Sequence, residues 1–545
     1  MDEAPTTAEI LSAVDAIQTE AISFLKSIVS IDSTLEKGEG LIQSEIHRHL
    51  LEVFDAADTS VAKTPGDGNG ENNETSSSSK RKRLNQFEVE RIPVKLDDIR
   101  SQRGFSPVDW NYSDDQKFNV VVRYSHDSSG NGGSESAEKP QVKGGRNLLL
   151  QGHIDVVPAS ESDGWTNPPF SPIIRNSKNE VIDVNECKDH PDARMYGRGS
   201  GDMKAGVVAM IYALLALRRL GYVPKGNVSI CTVIEEECTG NGALAAPLEI
   251  LLPSLSTDLN ENIKTAVIIP EPFPFLVTAQ LGVLWFRASV TGKPCHVLQT
   301  SAGSNAIEGA YVLYNSLKAL EEKYNEPKGN AHPAYRGIDH PVNFNLGKIE
   351  GGNWASSVPS SCWFEARVGF FPGKSVESVK QDIEVALKAK ANELGLGLEI
   401  SYRGFHAEGA VLLSEYVGVD EESYEMEELE CEKKSLQKEF VELLQRCHEV
   451  SIVPSPADGG SNEDSCDKSD NIPNLAMKPI TCTCDCRFYS SLYHDPNNVV
   501  VTCFGPEATN IHGVDESVSL KSVRDVTCTI ALFVKDWCGL IKEDR

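Results

Sequence analysis

The sequence predicts a two-part α/β fold, a helix-flanked mixed sheet interrupted by an inserted α+β unit. Three observations carry this. Short, almost wholly apolar runs such as LLLQ and TAVII alternate with helical patterns, as a sheet covered on both faces requires. Between about Phe286 and Phe405 the order becomes strand, helix, strand, strand, helix, strand, the βαββαβ arrangement of a ferredoxin-like unit. Sheet strands and chemically loaded motifs occur on both sides of that stretch, so it reads as an insertion that leaves the chemistry to the outer unit.

In chain order, the apolar and mostly β-branched runs Asn119–Tyr124, Leu148–Gln151, Val228–Ile234, Thr265–Ile269 and Val499–Phe504 are the sheet strands. Helices are expected over Lys204–Leu220 and from about Leu520 to Ile541. Inside the insertion the expected elements are RASVTG, the Ala306–Lys323 helix, Val342–Ile349, Cys362–Phe371, the Val376–Leu394 helix and Leu398–Tyr402. The units are therefore 1–285, 286–405 and 406–545. Ala62–Arg83, rich in Gly, Asn and Ser, has almost nothing to bury and is expected to be a disordered loop. Its basic run Lys80–Arg83 reads as solvated charge rather than as a localisation signal. A second polar tract, about 420–470, is acidic, with a helix expected around Leu436–Cys447.

Length and charge bound the function. The 545 residues carry 52 Lys and Arg against 80 Asp and Glu, a net charge of −28; at roughly 150 residues per domain, two to four units are expected. Such acidity opposes binding to phosphate backbones or anionic lipid, which gain from Lys and Arg. No nucleic acid or membrane partner is expected. The N-terminus opens MDEAPTTAEI, acidic and amphipathic, unlike a secretory leader. The densest apolar stretch, Val207–Leu217, is shorter than the roughly 20 residues that span a bilayer. With 14 cysteines and no CxxC pair, a cytoplasmic location is the expectation. Cys482, Cys484 and Cys486 alternate, which on a strand places them on one buried face; an inert core role is the main reading, and a metal or redox role the alternative.

Four strands run into potential metal ligands. Leu148–Gln151 leads to His153 and Asp155, Val228–Ile234 to Glu235-Glu236-Glu237, Thr265–Ile269 to Pro270-Glu271, and Val499–Phe504 to a loop ending at His512. Ligands of open α/β sheets bind beyond the carboxyl ends of the strands, so these segments can converge, and imidazole with carboxylate suits zinc. A fifth segment, YGRGSGDMKAG, is a glycine-rich loop that brings Asp202 close to the same crevice. It lacks the GK[ST] ending of a phosphate loop, and the acid at Asp202 would repel phosphate, so nucleotide binding is disfavoured.

The segments LLLQGHIDVVP, YGRGSGDMKAG, VIEEECTGNGAL, IIPEP, TGKPCHV, GGNWASSVP, CDCRF and FGPEATNIHGVDESV, in this order, resemble the M20 metallopeptidases. That family includes acetylornithine deacetylase, succinyl-diaminopimelate desuccinylase, aminoacylase and carboxypeptidase G-type enzymes. The resemblance implies a cofactor of two Zn2+ per subunit, with Co2+ or Mn2+ as substitutes. It implies His153, Asp202, Glu237, Glu271 and His512 as ligands, Asp202 bridging, with His153 and Glu271 on one metal and His512 and Glu237 on the other. Glu236 is implied as the general base that takes a proton from the attacking water and passes it to the leaving amine. Asp155 is implied to accept from the far nitrogen of His153, and His296, from a neighbouring subunit or after domain closure, to stabilise the oxyanion.

The inserted unit resembles the family's dimerisation domain, which implies a homodimer. Arg487 is the first candidate to clamp a substrate carboxylate, since its planar fork fits one bidentately. Two positions depart from the family: Ser356-Ser357 stands where many relatives carry Asn, and Gly369 where a strand Arg is common, with Arg367 on the same strand face as its substitute. The implied activity is amide hydrolysis of N-acyl amino acids, as in acetylornithine deacetylase. The alternatives are a dipeptidase or carboxypeptidase on the same metals and, in another class, an inactive scaffold. All five ligands and the base are present, which disfavours the scaffold.

Overall fold

The computed structural model describes residues 4–55, 87–110, 113, 115–124, 145–250, 264–326, 332–417, 430–452, 475–490 and 497–543. Ala62–Arg83 and most of the acidic tract lie outside them; within that tract, a helix spans Glu430–Ile452.

The chain enters a main sheet through β1 (Phe87–Pro93), β2 (Phe118–Tyr124), β3 (Asn147–His153), β4 (Val228–Val233) and β5 (Thr265–Ile269). It then builds a second sheet from β6 (Gly282–Thr291), β7 (Phe344–Gly351), β8 (Ser361–Phe370) and β9 (Gly397–Ala407). It returns to the first with β10 (Val499–Cys503). The main sheet has the order β1-β2-β4-β3-β5-β10. Strands β4, β3, β5 and β10 are mutually parallel, while β1 and β2 run antiparallel at the edge. Every residue of β3, β5 and β10 is buried, as the unalternating apolar runs require. Register sets the chemistry: His153 pairs with Val233 and Ile269 with Cys503, so the parallel strands finish level and their following residues meet at one edge.

Helix α1 (Thr7–Val29) starts with a capping box between Thr6 and Glu9 and packs against α2 (Ala205–Arg219). Helix α2 is apolar on nearly every side and buried throughout most of its length, a core helix by composition. With the turn before it, Ser200–Arg219 is long and apolar enough to cross a membrane, yet 94% of that window is buried within the fold. A Cβ at Gly206 would lie 1.9 Å from the Pro270 carbonyl oxygen, so only glycine lets the start of α2 approach the strand end that carries Glu271.

The second sheet is antiparallel in the order β7-β8-β6-β9, with α3 (Ala306–Asn325) and α4 (Val376–Leu394) packed against it over a separate hydrophobic core. Its first and last strands in the chain run past the stretch read from sequence, starting at Gly282 and ending at Ala407. A strap at residues 103–110 joins the two units: Ser106 Oγ accepts from His406 N at 3.1 Å, and Arg403 pairs with Asp109.

Two elements differ from expectation. The C-terminal helix α5 (Leu520–Phe533) continues as a π-helical turn to Cys538, after which Gly539 turns at φ +72°, and Leu540–Lys542 pairs as a strand with Tyr222–Pro224. The alternating cysteines are not on a strand, because the strand Met477–Ile480 ends before them and Asp485–Tyr489 is a 3-10 helix. Cys484, Asp485, Cys486 and Arg487 are all buried, whereas Cys482 is exposed, so no alternation of faces exists.

One half-buried histidine predicts a pH effect. Burial pulls His406 down to about 4, and its Nε2 is buried without a hydrogen-bond partner. The unfolded chain binds this proton near pH 6.5 and the folded chain only near 4. Stability therefore falls as pH drops from about 6.5 through 4, by up to about 3 kcal/mol. Urea midpoints measured between pH 7 and 4 should fall less steeply in His406→Gln.

Candidate metal centre

The five residues expected as ligands lie at the carboxyl edge of the parallel strands. His153 Nε2 is 3.1 Å from Asp202 Oδ1 and 3.8 Å from Glu271 Oε1. His512 Nε2 is 3.3 Å from Asp202 Oδ2 and 3.0 Å from Glu237 Oε1. Asp202 thus turns one oxygen to each imidazole, and the donors fall into two sets that share it. His153, Asp202 and Glu237 offer ligand atoms within 4.8 Å of one another. His153 is 1% exposed on its side chain and His512 50%, so one set is deep and the other opens to solvent.

Charge confirms how tightly these groups interact. Burial pulls His153 down, but Glu271, Asp202, Asp155 and Glu236 outweigh it and hold the imidazole well above its ordinary value. Glu237, with Asp202, raises His512 to about 11 against burial. Burial pushes Glu271 and Glu236 well above the carboxylate range. Acids packed this closely need cations among them to stay ionised, and nitrogen and oxygen donors in this number suit a divalent metal pair.

Asp155 does not make the bond expected of it. His153 Nδ1 lies 3.0 Å from the Asp155 main-chain oxygen but 3.6 Å from its carboxylate, beyond hydrogen-bond range. The carboxylate instead accepts from Glu236 N and Glu237 N, each at 3.0 Å, and so fixes the turn that presents the base and a ligand. Glu235, at φ +63°, begins this turn. Its carboxylate is buried against Lys117 Nζ at 2.7 Å and accepts from Trp110 Nε1 at 2.8 Å, while Glu39 Oε1 accepts from Glu235 N at 2.8 Å. Of three successive glutamates, the first is therefore structural.

Several residues that organise the site were not read from the sequence. Glu516 accepts from Gly201 N and Asp202 N through Oε1, and from Gly199 N and Arg198 Nη1 through Oε2, at 2.6–3.0 Å. It stands in for the missing phosphate of a glycine-rich loop and sets the position of Asp202. Its place in the HGVDES segment is its only sequence signal. Glu39, Lys117 and Trp110 lie far from any motif and carry none.

The remaining candidates stand apart. Arg487 is 1% exposed, donates to Cys484 O at 2.9 Å and Thr239 O at 3.3 Å, and lies 3.8 Å from Asp485. Its fork braces main-chain carbonyls from within, a different setting from the substrate clamp expected of it. Arg367 is only partly buried, with Nη1 3.4 Å from Asn343 O. His296 is exposed in the second unit, where it caps a 3-10 helix by accepting from Leu298 N at 3.1 Å.

Fold and donors together define a chain with a paired nitrogen–oxygen cation site at the rim of an α/β sheet. It belongs to peptidase family M20/M25/M40, whose profile matches residues 149–536. A probable succinyl-diaminopimelate desuccinylase of Staphylococcus aureus (strain MRSA252) is 27% identical over 279 residues, 47% of this chain and 61% of that protein. The chain thus covers less than two thirds of that relative's length. The N-formyl-4-amino-5-aminomethyl-2-methylpyrimidine deformylase of Bacillus subtilis (strain 168) is 22% identical over 407 residues, 73% of this chain and 80% of that protein. Among solved structures, the dipeptidase Dug1p of Saccharomyces cerevisiae superposes with a TM-score of 0.62 at 12% identity, covering 98% of each chain, a likeness of fold.

Proposed function

We propose that this chain is a dinuclear metal-dependent amidohydrolase, zinc being the expected metal, that cleaves the amide of N-acyl amino acids. The observation that carries the reading is Asp202, one carboxylate with an oxygen directed at each of two histidines, each set completed by a glutamate. His153, Asp202 and Glu271 would hold one divalent ion, and His512, Asp202 and Glu237 the other. Bound there, the pair supplies a Lewis acid and lowers the pKa of water at neutral pH.

The chain's own residues do the rest. Glu236, placed next to a ligand and held by the Asp155 carboxylate through its main-chain N–H, takes the proton of the attacking water and returns it to the leaving nitrogen. Burial of Glu236, 6% exposed, keeps bulk water from competing for that proton. Arg367 is the group we assign to the substrate carboxylate, because its fork can clamp one bidentately and Arg487 is buried against main-chain carbonyls. The relatives' names point the same way, since both record removal of an acyl group, succinyl or formyl.

We further propose a cytoplasmic homodimer formed through the second unit, in which His296 serves the partner's site. Ile307, Tyr311 and Val312 on α3, Ile349 on the edge strand β7, and Trp354 are exposed apolar residues of that unit. A Tyr311→Arg, Trp354→Arg double variant should sediment as a monomer where the unaltered chain is a dimer. His296→Ala should lower kcat by about 10² or more, the cost of losing one oxyanion donor, with metal content unchanged. Mixing it with a Glu236→Ala chain should restore part of the activity, because mixed dimers then hold one intact site.

The reading is tested by assaying purified, metal-analysed protein against N-acetyl and N-succinyl amino acids alongside dipeptides. Turnover of the acylated substrates is expected; turnover of dipeptides alone would contradict the deacylase assignment.

A further inference from the structure

A second donor cluster lies among the described residues, and nothing in the hydrolytic reading uses it. Cys503, the last residue of β10, has its sulfur 3.3 Å from Cys486 Sγ and 3.3 Å from Cys484 Sγ. All three sulfurs lie within 4.8 Å of one another, and the residues are 2% exposed or less. A cysteine that only fills apolar space has no preference for sulfur neighbours. Here the end of a strand and the start of a 3-10 helix deliver three thiols to one point. Beside them, the Gln280 amide is oriented by its donors: Nε2 gives to Cys484 O at 2.8 Å and to Thr483 Oγ1 at 3.0 Å. That leaves Oε1 facing the cluster, 2.8 Å from Cys484 Sγ. The result is three clustered sulfurs with one amide oxygen beside Cys484.

We propose that Cys484, Cys486 and Cys503, with Gln280 Oε1, form a separate structural site for one soft cation of the zinc class. Three thiols lose three protons and bind as thiolates, so a divalent ion leaves a net charge of −1. The guanidinium of Arg487, whose Nη1 is 2.9 Å from Cys484 O, supplies a positive charge beside it. Sulfurs on a tetrahedral ion with bonds of about 2.3 Å stand about 3.8 Å apart. The two sulfur pairs that share Cys503 therefore need to spread by only about half an ångström. Closure by four protein donors leaves no open position, which marks the site as structural rather than catalytic. It ties the end of β10 to the 3-10 helix that carries Asp485 and Arg487. The two centres sort ions by chemistry, since the hydrolytic donors are imidazole and carboxylate and this cluster is thiolate.

Cadmium tests this without any activity measurement. Absorption from sulfur-to-cadmium charge transfer arises from thiolate ligands alone, so the hydrolytic site cannot produce it. Titration of the full-length, reduced protein with Cd2+ should develop that band with about one equivalent, with about three sulfurs around the ion by X-ray absorption. The band should persist in His512→Ala and in Cys231→Ala, and vanish in Cys503→Ala with the loss of about one bound cadmium. A silent titration of the unaltered protein overturns the proposal, whatever the variants do. So does a band that survives Cys503→Ala, or a disulfide joining Cys503 to Cys484 or Cys486 in the protein as purified.

Discussion

Glu236→Ala is expected to lower kcat by about 10² or more while the protein keeps its metal, the loss typical of removing general acid–base help. Two features separate this residue from its neighbours. Glu235 is consumed by Lys117 and Trp110, and Glu237 by His512, so Glu236 is the member of the run left without either duty. Its backbone is nonetheless fixed as firmly as theirs, through Asp155 Oδ1. The substitution removes a carboxylate from the interior without touching the donors of either set, so metal content and fold should persist. Metal analysis and steady-state kinetics on the same preparation check this; full activity in the variant would remove Glu236 from the mechanism.

Asp202→Ala should have the larger effect on metal. It is the group common to both donor sets, so its loss should cut bound metal by about two equivalents at low free metal and take turnover to background. His512→Ala removes one exposed ligand and should release about one equivalent, leaving the deep set of His153, Asp202 and Glu271. The unequal result is the informative part, and metal counts after dialysis against a weak chelator read it directly. Equal losses in the two variants would mean that Asp202 does not join the two sets.

Much of this was legible before the structure because it follows from strand chemistry. Buried parallel strands must be apolar throughout, so Thr265–Ile269 and Val499–Cys503 announce themselves, and the polar residues just beyond them stand out by contrast. The βαββαβ order of the second unit is written in the switch between strand and helix periods, and Val376–Leu394 is bounded as the pattern implies. What failed to show are features decided by distant partners. The alternation of Cys482 to Arg487 imitates a strand, but Gln151 Nε2, 3.0 Å from Asp485 Oδ2, and Thr239 O, bonded to Arg487, bury its polar members instead. The family resemblance assigns Asp155 to His153, whereas its carboxylate is taken by amides of the turn that follows the neighbouring strand. Glu516 and Lys117 reach the site across more than a hundred residues, a distance over which no local pattern carries information.

The most direct test of the central claim is a crystal structure of the protein grown with Zn2+, with anomalous scattering collected at the zinc edge. The account predicts two peaks flanking Asp202, one against His153 and Glu271 and the other against His512 and Glu237. Peaks at the surface or at the cysteine cluster alone, with nothing between these two histidines, would contradict it.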